Sequence, residues 1–258
     1  MRSFYLIGIG PGGPEYLTLQ AVAALRRVDV FFVLEKEGRG KEALADARRH
    51  ILEAHCEPGR YRVVTAASPA RAPDRSAEGG PGYAEGVEAW YDDKAALIAG
   101  LIITHLAEGQ TGALLVWGDP SLYDGNLAIF RRIRATILPD LALEVIPGIT
   151  SLQLLAARHQ ITLADMGDEV LITTARRLRE GAAAGHGSVA VMLDSNAAFA
   201  NAAPADSDIY WGANLGSERE ILRAGRVGEV GGQIADTIAR EKQRHGWIFD
   251  IYLLRRPR

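Results

Sequence analysis

Three short stretches carry residue types that could do chemistry, and in each an apolar run breaks into glycine. Leu114 to Gly125 reads Leu-Leu-Val-Trp-Gly-Asp-Pro-Ser-Leu-Tyr-Asp-Gly. Gly118 permits close approach of backbone to a ligand. Asp119 can accept hydrogen bonds from a ligand or hold its own turn as an Asx residue. Tyr123 and Asp124 follow, able to face a reacting molecule or only solvent. Asp119, Tyr123 and Asp124 are therefore the candidates for moving a proton. The stretch Gly8-Ile9-Gly10-Pro11-Gly12-Gly13 fits the dinucleotide fingerprint, with Glu35 placed where a ribose-binding carboxylate would stand. Pro147-Gly148-Ile149-Thr150-Ser151 ends in two hydroxyls that can cap the next helix or reach a ligand.

Two features weigh against a nucleotide phosphate at the first stretch. Pro11 lacks the backbone N–H that a pyrophosphate cradle would use. Pro14 and Glu15 push the helix start toward Thr18, away from Gly10. Other chemistry is sparse. His50 and His55 are five apart, and His105, His159, His186 and His245 stand alone, so no metal site is expected. No Ser-His-Asp set and no P-loop can be picked out. Arg60, Arg62, Arg71 and Arg75 gather around a Pro/Gly-rich segment, as a solvated loop face or as a lid that pairs with carboxylates of an anionic substrate.

The elements that must position these residues read as an α/β chain. Phe4–Ile9 and Val30–Leu34 are buried strands around a helix at Leu19–Arg27, which Thr18 can cap. Helix 41–54 and strand Tyr61–Thr65 come next. Residues 66–83 form one long loop, too long for a routine connection. A long helix over Glu85–Glu108 leads to the strand Leu114–Trp117, the amphipathic run Leu127–Ile137, the strand Leu143–Ile146 and a helix from Ser151 to Arg158. Beyond Thr150 strand follows strand more closely: Val170–Thr174, Val189–Leu193 and Ile209–Trp211, then a helix at Ile234–Glu241 and a strand at Trp247–Leu254. That half is expected to hold a mixed sheet. The expected domains are 1–149 and 150–258.

Composition excludes several classes. The chain has 258 residues, 48% of them hydrophobic, and a formal net charge of −3, so nothing favours nucleic acid or an anionic membrane surface. Its one cysteine, Cys56, rules out an internal disulfide and a cysteine metal cluster, which suits a reducing cytoplasm. The N-terminus runs straight into a strand without a signal-peptide core, and no apolar run is long enough to span a bilayer. No internal repeat of fixed period is visible.

Taken together, Gly8-Ile9-Gly10-Pro11-Gly12 with Leu17-Thr18, Gly118-Asp119-Pro120 and Ile146-Pro147-Gly148-Ile149-Thr150-Ser151 resemble the tetrapyrrole (precorrin) methyltransferase family over nearly the whole chain. The resemblance implies two α/β domains forming a kidney-shaped unit, with S-adenosylmethionine in the inter-domain cleft, and a cytoplasmic homodimer. It implies cofactor contacts from Pro11, from Trp117, Gly118, Asp119 and Leu122, and from Thr150 and Ser151. Val191-Met192-Leu193 and Asn214-Leu215-Gly216 resemble two further family cofactor elements, adding Met192, Leu193 and Gly216. Where the family often has Asp after Pro-Gly, this chain has Gly13. Tyr61–Val64, the loop to Arg75 and Tyr83–Trp90 resemble the deacetylating subgroup. That implies C-1 methylation of precorrin-5 with loss of acetate to give precorrin-6A, S-adenosylhomocysteine as the other product, and Arg71 and Arg75 on the substrate's peripheral carboxylates. Methylation at another macrocycle position, a nicotinamide oxidoreductase using Gly8, Gly10 and Gly13, and a non-catalytic tetrapyrrole carrier are the alternatives.

Overall fold

The computed structural model describes residues 1–35, 42–70 and 83–256, except the side chains of 42–44 and 83–84. By backbone contacts the chain divides into two compact units. One comprises Met1–Gly10 and Pro14–Ile149, the other Thr150–Arg258 together with the short loop Pro11–Gly13.

In the first unit, strands β1 (Ser3–Gly8), β2 (Val30–Glu35), β3 (Arg62–Ala67), β4 (Thr111–Val116) and β5 (Ala142–Ile146) form one sheet in the order β3-β2-β4-β1-β5. Every pairing is parallel. The inner strands are continuous apolar runs because both faces are covered. Phe4, Leu6, Phe32, Leu114 and Val116 point to one side, against helices α3 (Tyr83–His105) and α4 (Asn126–Thr136). Tyr5, Ile7, Phe31, Ala113 and Leu115 point to the other, against α1 (Leu19–Leu25) and α2 (Glu42–His55). Thr18 caps α1, its side chain accepting from the Ala21 N–H.

Strands β1 and β4 lie side by side, yet the chain leaves them in opposite directions, from β1 toward β2 and β3 and from β4 toward β5. Such a switch point is where open α/β sheets form a crevice beyond the carboxyl ends of their strands. The glycine loop and the Gly-Asp-Pro loop both start there.

The second unit carries a mixed sheet. Strands β6 (Val170–Thr174), β7 (Ser188–Met192), β8 (Asp208–Ala213), β9 (Ile221–Arg226) and β10 (Asp250–Arg255) lie in the order β6-β7-β10-β8-β9. Only β6 and β7 run parallel; the other pairings are antiparallel. Trp211, Tyr252 and Phe199 fill the core beneath α6 (Ala175–Arg179), α7 (Phe199–Ala202) and α8 (Val227–His245). Helix α5 (Ser151–His159) opens the unit, with Thr150 as its N-cap and the Thr150 N–H donating to Gln153 Oε1 at 2.8 Å.

Helix α8 begins seven residues before the sequence expectation of Ile234. Gly228, Gly231 and Gly232 lower helix propensity and hid its first two turns. Packing overrides that weakness: a Cβ on Gly228 would stand 3.2 Å from Ala205 Cβ, and one on Gly231 would stand 3.5 Å from the Phe199 ring.

Candidate functional site

The three glycine-bearing loops meet in the first unit through backbone rather than through side chains. Gly10 and Gly118 form an isolated antiparallel bridge, with N–H to O distances of 3.2 and 2.8 Å. A Cβ on Gly148 would stand 2.1 Å from the Gly118 carbonyl oxygen, so only glycine allows the β5 loop to lie this close.

Asp119 locks the junction. Its Oδ2 accepts from the Gly148 N–H at 2.7 Å, and its Oδ1 accepts from the Ser121 N–H at 2.7 Å and from the Ser121 hydroxyl. Burial raises the carboxyl pKa, but the Ser121 hydroxyl and the Gly148 and Ser121 amides outweigh it and hold the group below its ordinary range. Asp119 is thus an ionised anchor that ties the β4 loop to the β5 loop. Of the two roles open to Asp119, the Asx turn is present, and the same carboxylate also reaches across β1 to a residue 29 positions away.

Tyr123 is 47% exposed at φ 52. Burial of its hydroxyl raises its pKa, so it stays protonated at neutral pH. Asp124 anchors the start of α4, its Oδ1 accepting from the Asn126 N–H at 2.7 Å and its Oδ2 from Asn126 Nδ2 at 3.1 Å. Sequence reasoning missed Arg48, whose Nε donates to the Leu115 carbonyl at 3.3 Å. Burial lowers its pKa and the Asp124 charge opposes that shift. Nothing in its helical context marks it out, because its neighbours in α2 read as an ordinary amphipathic face. Trp117 is half-buried and packs on the core beneath α1 and α2.

In the second unit, Gly13 N–H donates to Gly216 O at 2.9 Å, and a Cβ on Gly12 would fall 2.2 Å from that oxygen. The Asn-Leu-Gly turn is itself held. Gly216 N–H donates to Glu220 Oε2 at 2.7 Å, and Arg158 Nε donates to Glu220 Oε1 at 2.7 Å. Asn214 and Gly216 sit at φ 48 and 73. Met192 ends β7, and Leu193 after it is 61% exposed at φ 59. Thr150 and Ser151 stand at the start of α5, where Thr150 serves as the cap. Arg71 and Arg75 lie outside the described residues.

The fingerprint glycines are therefore committed to backbone contacts, Gly8 against Gly148, Gly10 to Gly118 and Gly13 to Gly216. Only a single 3-10 turn, Pro14–Tyr16, comes before the first α-helix at Leu19, so no α-helix N-terminus follows Gly10 directly. Among the described residues no group of three or more histidine, cysteine, aspartate or glutamate side chains could hold a metal ion. No described helix is long and apolar enough to cross a membrane.

A two-unit α/β chain with ligand-type loops at a sheet switch point matches known proteins in the same terms. The chain belongs to the tetrapyrrole (corrin/porphyrin) methylases, whose family model matches residues 3–231. It is 43% identical over 256 residues to a precorrin-6A synthase [deacetylating] of Sinorhizobium sp., covering 99% of this chain and 96% of that protein. A crystal structure described as a cobalamin-synthesis-related protein (CobF) from Corynebacterium diphtheriae superimposes with a TM-score of 0.81 at 38% identity, covering 99% of this chain and 98% of that one. A uroporphyrin-III C-methyltransferase from Thermus thermophilus, crystallised with S-adenosylhomocysteine, shares the fold at a TM-score of 0.61 and 18% identity, covering 98% of this chain and 96% of that one. The dinucleotide alternative is not favoured by any of these likenesses.

Proposed function

We propose that this chain is an S-adenosylmethionine-dependent C-methyltransferase of cobalamin biosynthesis, acting at C-1 of precorrin-5 with release of acetate to give precorrin-6A. The observation that carries the reading is the 43% identity to the Sinorhizobium deacetylating synthase, end to end. The loops fit the cofactor. Gly118, at φ 69, has open space where a Cβ would stand. Asn214 Nδ2 is buried without a hydrogen-bond partner among the described residues.

Bound S-adenosylmethionine supplies an electrophilic methyl carbon on a sulfonium. The protein's part is then mostly positioning. In the first unit, Trp117, Gly118 and Leu122 contact the cofactor while Asp119 fixes the loop that presents them. In the second, Pro11, Thr150, Ser151, Met192, Leu193 and Gly216 supply contacts. Tyr123, protonated and half-exposed, is assigned the hydrogen bond to the substrate. Asp124, at the same loop, is assigned the proton released from the macrocycle or the attacking water. In the deacetylation, oxygen from water joins the acetyl carbon, the carbon–carbon bond breaks with its electrons returning to the macrocycle, and acetate leaves. Arg71 and Arg75 are assigned the substrate carboxylates. The reading carries with it a cytoplasmic homodimer.

The test is mass spectrometry of the reaction with precorrin-5 and isotopically labelled S-adenosylmethionine. One methyl gained with one acetyl lost is the expected outcome. Methyl gain alone would leave the family activity and remove the deacetylating assignment. Calorimetric binding of NAD without binding of S-adenosylmethionine would remove the methyltransferase reading altogether.

A further inference from the structure

Strand β7 ends at Met192, and the backbone beyond it is unusual. Leu193, Ser195 and Ala197 stand at φ 59, 53 and 53. A residue with a Cβ is disfavoured there. Three such residues alternating within one short loop persist only where the surroundings over-determine them. Those surroundings are polar and buried. Asp194 and Asp250 are 3% and 8% exposed. Asp194 Oδ1 accepts from the Asn196 N–H at 3.1 Å, and its Oδ2 accepts from the Ala198 N–H at 2.7 Å and from the Tyr252 hydroxyl at 2.8 Å. Asp250 accepts from the Ser195 N–H at 2.7 Å and from Trp211 Nε1 at 3.1 Å. Lys242 Nζ closes the loop from α8, donating to Ser195 O at 3.2 Å and to Asn196 Oδ1 at 3.0 Å. Arg179 approaches Asp194 Oδ1 at 3.8 Å.

The strain has a direction. At the far end of the loop Ala197 and Ala198 are buried, while Leu193, a large apolar residue at the carboxyl end of β7, is held outward. A fold seeking only stability would relax such a turn with glycine or bury the leucine. We infer that Asp194, Asp250 and Lys242 are positioning residues that clamp the strained loop so that Leu193 is presented to the cofactor. They act through the backbone of residues 193–198 without touching the cofactor themselves. The inference rests on the methyltransferase reading above.

The test uses the full chain, with S-adenosylmethionine affinity measured by calorimetry well below the unfolding midpoint. Asp250→Asn should weaken binding about 10-fold, by lowering the population of the presented loop. Adding Ser195→Gly, which occupies φ 53 without a Cβ penalty, should bring affinity back to within about 3-fold of wild type. A network that only stabilises the fold would lower Tm and leave affinity alone, and that result overturns the inference. So does a loss of affinity that Ser195→Gly fails to restore. Should Asp250→Asn not fold, Lys242→Met removes two bonds to the loop from a partly exposed position. It should weaken binding about 3-fold, and unchanged affinity overturns the inference equally. Wild-type protein that binds no S-adenosylmethionine would instead overturn the methyltransferase reading, and this inference with it.

Discussion

Replacing Asp119 by Asn separates an anchor from a proton carrier at the junction of the three loops. The carboxylate receives three hydrogen bonds, two from Ser121 and one from the Gly148 N–H. The amide that replaces it keeps one acceptor oxygen. Placed toward Ser121, that oxygen leaves an NH2 facing the Gly148 N–H across 2.7 Å, donor against donor. One charge-assisted bond is lost and a backbone donor is stranded, which costs about 2 kcal/mol. A penalty of that size corresponds to roughly 30-fold in an equilibrium constant. The β4 loop would therefore leave its anchored state, and S-adenosylmethionine affinity should fall by roughly 10- to 30-fold. Calorimetry measures the affinity, and denaturant unfolding measures the stability. The pH dependence fixes the mechanism. The folded pKa is depressed, so the stabilisation is fully present above the ordinary carboxylate value of 3.8 and is lost as pH falls through the folded pKa. Wild type and Asp119→Asn should differ at neutral pH and converge in acid. Unchanged affinity in the variant would refute the anchor. So would a pH–rate profile that loses an ionisation while cofactor binding stays intact, since that is the signature of a catalytic base.

Two further outcomes follow, one from the same loop junction and one from the Asp250 network of the second unit. Gly148→Ala places a Cβ 2.1 Å from the Gly118 carbonyl oxygen, with backbone on both sides and no flexible side chain to yield. Urea unfolding should report a loss of about 3 kcal/mol, and a midpoint equal to wild type would show that the loops are not packed this way. Asp250 gives the opposite pH signature to Asp119. Burial is the main cause that raises its pKa from 3.8 to about 6, with the Asp194 charge adding to it and the Ser195 and Trp211 hydrogen bonds opposing it. The folded state therefore holds its proton longer than the unfolded chain, and the stabilisation is present below pH 3.8 and is lost as pH rises through about 6. Across that window wild type should lose about 3 kcal/mol relative to Asp250→Asn, read from unfolding midpoints at several pH values. A flat difference would contradict it.

How much of this was legible in the sequence follows the physics of each feature. Strands β1 and β4 were legible because covered parallel strands read as unbroken apolar runs. The α1 start was legible because Thr18 does a local job, accepting from Ala21 three residues on. Helix α8 was half hidden because its glycines serve Ala205 and Phe199, which no local pattern connects to it. The site divides the same way. The turn at Asp119 could be read from Gly-Asp-Pro alone, since Ser121 is two residues away. The bond to Gly148 could not, because it exists only once β5 lies beside β1. Asp250 is the extreme case. It sits inside the expected strand Trp247–Leu254 as one polar residue among apolar ones, whereas it is the first residue of β10 and its partners Ser195 and Trp211 lie 55 and 39 residues earlier. The residues proposed to contact the cofactor are thus visible as short motifs, whereas the long-range bonds of the carboxylates around them, Asp119 to Gly148 and Asp250 to Ser195 and Trp211, exist only in the folded chain. Substitutions at Asp119, Asp194 and Asp250 should accordingly act on cofactor affinity, even where no atom of theirs touches the cofactor.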